Sequence, residues 1–103
     1  MIESTKRFIL ELIHAADNPD RITKPEKAYL LREAAAYLKR LKNQTHLFDE
    51  PANNAGFRDP IHDLLETARL IDTFDNIDIA KELIGAAGSL QAALNLLEDQ
   101  IKY

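Results

Sequence analysis

The sequence predicts an all-α fold, a four-helix bundle, and three observations carry that prediction. Ile79, Leu83, Ala87, Leu90, Leu94, Leu97 and Ile101 recur at intervals of three and four, the rhythm of a single helix face. Two helix-opening signals, Thr23-Lys24-Pro25-Glu26 and Asp59-Pro60, stand immediately before further stripes of this kind. Only 7% of residues are aromatic and none is Trp, so Leu, Ile and Ala must fill the interior, as they do in helix bundles.

A first helix is expected over residues 2 to 17. Thr5, Phe8, Ile9, Leu12, Ile13 and Ala16 fall on one side of it, with Glu11 and His14 on the other. Asp17-Asn18-Pro19-Asp20 ends it, because the residue before Pro avoids helical dihedrals and Asp and Asn bond their own backbone. The second helix, 24 to 47, opens with a capping box in which Thr23 accepts an orphan amide and Glu26 reaches back. Its buried stripe is Leu30, Leu31, Ala34, Tyr37, Leu38 and Leu41, and Thr45 and Phe48 continue the phase.

Residues 49 to 58 read as a loop through Pro51, Asn53, Asn54 and Gly56, with Phe48 and Phe57 as flanking anchors. A docking loop for another protein is the alternative. The third helix, 59 to 72, takes Asp59 as its N-cap and buries Ile61, Leu64, Leu65, Ala68 and Ile71. The fourth spans 76 to 102, capped at Asp75-Asn76. Its rival is a break at Gly85-Ala86-Ala87-Gly88 that would give five helices, since two helical glycines cost about 1 kcal/mol each relative to Ala. The stripe keeps its angular phase through both glycines, which favours one continuous helix.

With 103 residues the chain is expected to form one domain, 1–103. It has no Cys, which removes disulfides, thiolate nucleophiles and sulfur-ligated metals. The first residues lack the basic-then-apolar order of a secretion signal, and no apolar run approaches the roughly 18 residues of a membrane span. A cytoplasmic location is therefore expected. The net charge of −4 conceals an asymmetry: residues 1 to 42 hold nine basic and six acidic side chains, residues 43 to 103 four and eleven. Either the oppositely charged halves pack together, or an acidic face meets a basic partner.

Candidate chemistry is sparse. Glu11-x-x-His14 has the spacing of di-iron bundles, but those need two such pairs and two further Glu, and both side chains lie opposite the core stripe. His62 and Glu66 also point outward. Asp72, Asp75 and Asp78 suit helix capping and dipole compensation and lack the pattern of a calcium-binding loop. The two serines, Ser4 and Ser89, sit outside any nucleophile motif, and three glycines cannot build a phosphate cradle. No catalytic residue, metal site or cofactor is expected.

The second helix carries Lys24, Lys27, Arg32, Lys39, Arg40 and Lys42 against Glu26 and Glu33, enough to contact phosphates. A pI near 5.3 for the whole chain argues against nucleic acid as the partner. Residues 79 to 85 resemble the first part of a helix-turn-helix, with an Ala-to-Gly spacing of five where four is usual. Ala80, Leu83, Gly88, Ala93, Leu94 and Leu97 are similar in spacing to the last two helices of ubiquitin-associated-type three-helix domains, over about a quarter of the chain. That resemblance requires the break at Gly85.

A second face of the last helix, Gly85, Ser89, Ala92 and Leu96, is lined by mostly small residues and permits close backbone approach. Either it packs under the second helix, or it meets another copy of the chain. Tyr29, Ala36, Leu47 and Leu70 are apolar residues off the core stripes. By elimination the expected function is a small non-enzymatic protein that binds or regulates another protein through helix surfaces, with a homodimer as one form. Gly85, Ser89, Ala92, Leu96, Arg32, Lys39 and Arg40 are its candidate contact residues. A nucleic-acid regulator using Arg32, Lys39 and Arg40 is the alternative, and a metal-binding or enzymatic bundle stands behind it.

Overall fold

The last helix runs without interruption through both of its glycines. The computed structural model describes residues 2 to 45 and 60 to 101. Among them it has four α-helices, α1 (Ile2–Asp17), α2 (Lys24–Thr45), α3 (Pro60–Arg69) and α4 (Asn76–Ile101), with short 3-10 turns at Pro19–Arg21 and Ile71–Thr73. An all-α helical bundle is thus the architecture. The expected extension of the second helix beyond residue 45, the loop 49 to 58 and the Asp59 cap lie outside the described residues.

Local chemistry sets the boundaries. The Asn18 backbone amide and side-chain Nδ2 both donate to the His14 carbonyl, at 3.1 and 2.9 Å, so one residue closes the end of α1. The capping box forms in both directions: the Glu26 amide donates to Thr23 Oγ1 at 3.2 Å, and the Thr23 amide donates to Glu26 Oε1 at 3.3 Å. At the start of α4 the Asp78 amide donates to Asp75 Oδ1 at 2.8 Å. The third helix is shorter than the expected 59 to 72. Thr73 donates to the Leu70 carbonyl from both its amide and its hydroxyl, at 2.8 and 2.7 Å, which tightens the chain after Arg69 into a 3-10 turn.

α4 is the central element. α1 and α2 each pack extensively along it, α3 packs mainly on α2, and α1 has little contact with α2. The result is a slab with extents of 43 × 33 × 16 Å. Leu12, Leu31, Leu38, Leu41, Ile79, Leu83, Leu90 and Leu94 are wholly buried at its centre. Phe8 of α1 stacks on Tyr37 of α2, with ring centroids 4.7 Å apart. The basic N-terminal half packs on the acidic C-terminal half, and Lys6 pairs with Glu98 at 3.6 Å across α1 and α4.

A slab covers less of each helix than a square bundle does, and this corrects two core assignments. Ile13 is 37% exposed and Leu65 is 45% exposed. α1 has one principal neighbour, so only the centre of its broad stripe is enclosed; α3 likewise buries Leu64 and Ala68 and turns Leu65 outward. The continuity of α4 also removes the break at Gly85 to Gly88. With it go the five-helix alternative, the similarity to ubiquitin-associated-type domains and the helix-turn-helix reading, each of which needs a turn there.

Candidate functional site

The open side of α4 and the adjoining flank of α1 form an apolar groove. On α4, positions 77, 80, 81, 84, 88, 91 and 95 share one sector of the helix wheel, and all but the half-buried Ala80 are exposed. Lys81 and, five turns further on at the same angle, the exposed Asp99 are the charged residues of this sector. Ile77 is 66% exposed and Ile84 47%, and on α1 Leu10 is 67% exposed beside Ile13. Topology brings these together: α1 runs antiparallel to α4, placing Ile13 next to Ile84 and the turn at Pro19 next to Ile77.

Two depressions share Ile84. One of about 550 Å³ is walled by Pro19, Asp20, Asn76, Ile77, Ala80 and Lys81. The other, about 330 Å³, is lined by Ile9, Ile13, Ala87, Gly88 and Gln91. A polar clasp holds the closed end in shape. Lys27 is only 3% exposed, and its ammonium donates to Asn76 Oδ1 at 2.7 Å; Asn76 Nδ2 in turn donates to Asp20 Oδ1 at 2.7 Å. This relay ties the start of α2 and the turn after α1 to the first residue of α4, so the groove wall at Pro19 is anchored on two helices. Lys24 adds a longer contact, from Nζ to the Asp72 carbonyl at 3.4 Å.

The relay withdraws Lys27 from the basic set expected on the second helix. Lys27 is buried in the clasp, Lys24 is directed at a carbonyl, and the Arg40 guanidinium lies over the Tyr37 ring, 5.1 Å from its centroid. Arg40 stays exposed in that contact, and Arg32 and Lys39, also exposed and two turns apart, stand at the rim of a shallow depression of about 200 Å³ floored by Ala35, Ala36, Ile61 and Leu65. Tyr29 is exposed and its hydroxyl donates to Glu33 Oε1 at 2.9 Å, which raises the phenol above its usual pKa.

The small-residue strip lies at the edge of the open sector, toward α3. Gly85 and Ala92 are exposed, Ser89 and Leu96 half-buried, and Pro60, Asp63 and Leu64 of α3 border Gly85 and Ser89. A Cβ added at Gly85 or Gly88 would meet no atom within 4 Å. Glu11, His14 and His62 are exposed, and the Arg69 guanidinium donates to Glu66, holding that carboxyl below the ordinary range. No group of three or more potential metal ligands converges among the described residues, and none of the described helices is long and apolar enough to cross a membrane.

The groove falls beside, not on, the expected Gly85, Ser89, Ala92 and Leu96 face; the Ile77 to Ile84 interval of seven is the sequence signal that could have pointed to it. Its α1 wall had no such signal, because nothing local links Ile13 or Pro19 to α4. No protein-family model matches the chain, and comparisons with curated proteins and with solved structures give no significant match.

Proposed function

We propose that the protein is a non-enzymatic binding module that engages another protein through the open face of α1 and α4. The observation that carries this reading is a concentration of apolar surface: of the six large hydrophobic side chains exposed among the described residues, Leu10, Ile13, Ile77 and Ile84 lie on these two helices. Singly exposed aliphatics are ordinary on a protein surface, whereas a contiguous apolar patch with a preformed groove is the mark of an interaction site. The clasp of Lys27, Asn76 and Asp20 supports the same reading, since a rigid wall lowers the ordering cost of binding.

Affinity capture with the wild-type chain and with Ile84→Glu, read by mass spectrometry, tests the proposal. Proteins retained by the wild type and lost from the variant are the expected result. Identical captures by both would refute it.

A further inference from the structure

We propose that the basic-rimmed depression between α2 and α3 docks a short acidic amphipathic helix of another protein. This face shares no lining residue with the α1 and α4 groove, so the inference goes beyond that reading and stands apart from it.

The floor is apolar and the rim is positive. Ala35, Ala36, Ile61 and Leu65 floor a hollow of about 200 Å³, with Arg32 and Lys39 along its α2 side. Both cations are exposed, and among the described residues neither has an ion-pair partner. Arg40, exposed over the Tyr37 ring, adds a third positive charge. The outward sector of α2, positions 29, 32, 36, 39, 40 and 43, thus carries three cations and no carboxylate.

The carboxylates of both helices are engaged or turned elsewhere. On α2, Glu26 closes the capping box, and Glu33, at the edge of the sector, accepts the Tyr29 hydroxyl. On α3, Asp63 and Glu66 lie about 100° or more round the wheel from Leu65, on the flank that meets Phe74 and Glu82. Glu66 is also paired with Arg69. A chain of net charge −4 therefore presents a locally positive apolar hollow.

Charge complementarity commits the hollow to an acidic occupant, and its floor to an amphipathic one. Arg32 and Lys39 stand seven residues apart, about 10.5 Å along the helix axis. A helix laid beside α2 matches that interval with carboxylates at i and i+7, and an aliphatic residue at i+3 or i+4 enters the hollow between them. Nucleic acid would satisfy the cations alone: no aromatic side chain lines the hollow to stack a base, and the aliphatic floor would stay uncovered beneath phosphates. Lipid binding needs apolar groups that protrude into the bilayer, whereas these are recessed below the rim.

Selection from a display library of random peptides about 16 residues long tests the proposal, with each round depleted on Arg32→Glu/Lys39→Glu protein. Enriched peptides are expected to carry Asp or Glu seven residues apart, with Leu, Ile, Met or Phe three or four residues in. A synthetic copy should bind with a micromolar Kd in fluorescence anisotropy. The double charge reversal and Leu65→Asp should each raise that Kd about tenfold or more. Arg7→Glu/Arg21→Glu, which changes the net charge equally at exposed positions outside the hollow, should leave it unchanged. Circular dichroism checks that each variant folds. Failure to enrich any peptide overturns the proposal, as do enriched peptides without acidic residues or a loss shared by the Arg7→Glu/Arg21→Glu variant. Tighter binding of duplex DNA or of phosphatidylserine vesicles, abolished by the same charge reversal, also overturns it, as does a wild-type dimer that Leu65→Asp makes monomeric in light scattering.

Discussion

Replacing Gly85 by Ala should make the protein more stable, and the size of the gain follows from the structure. Gly85 lies in the interior of α4 with right-handed helical neighbours on both sides, and an added methyl group meets no atom within 4 Å. No steric term opposes the change. What remains is the helix propensity difference, in which Ala leads Gly by about 1 kcal/mol, largely through the lower entropy of the unfolded chain. For a domain of this size that gain corresponds to a rise in Tm of about 4 to 8 °C. Urea denaturation at low micromolar concentration, with an unchanged m-value, provides the free energy, and calorimetry the midpoint. A loss of stability on Gly85→Ala would refute the reasoning, because it would mean that Gly85 terminates a helix in a conformation that Ala resists.

Other perturbations test other parts of the account. Leu90 is wholly buried on α4, and Leu90→Ala should cost about 2 to 5 kcal/mol in urea denaturation. Thr23→Ala removes the capping oxygen of α2 and should cost about 1 kcal/mol by the same assay. Asn76→Ala leaves the buried Lys27 ammonium without its acceptor and should cost about 1 to 3 kcal/mol, and pairing it with Lys27→Met should recover most of that loss. Arg69 depresses the Glu66 pKa, so the pair contributes above the unfolded carboxylate pKa and is lost as pH falls through the lower folded value; an NMR titration should place the Glu66 midpoint below that of an unpaired Glu.

The parts of the fold that were legible in the sequence are those decided within a turn or two of chain. Thr23 and Glu26 identify the start of α2 because the capping box is a contact between residues three apart. Leu83, Leu90 and Leu94 identify the buried face of α4 because helix periodicity alone places them together. Ile13 and Leu65 were misplaced for a different reason: how much of an apolar stripe is covered depends on the number of neighbouring helices, which periodicity does not encode. Lys27 belongs to the same class, since a lysine within a basic run reads as solvated until a partner such as Asn76, 49 residues away, is brought beside it. Of the candidate site, the sequence pointed only to the neighbouring strip of Gly85, Ser89, Ala92 and Leu96. Ile77 and Ile84, seven apart, fit a buried stripe as well as an exposed one, and the contributions of Ile13 and Pro19 arise from the antiparallel packing of α1.

The central claim is that residues 76 to 101 form one uninterrupted helix on which α1 and α2 pack, and backbone NMR chemical shifts across residues 82 to 92 test it most directly. The account predicts helical Cα secondary shifts at every one of these positions, Gly85 and Gly88 included. Coil or left-handed shifts at Gly85 to Gly88, with a new helix starting near Ser89, would contradict it.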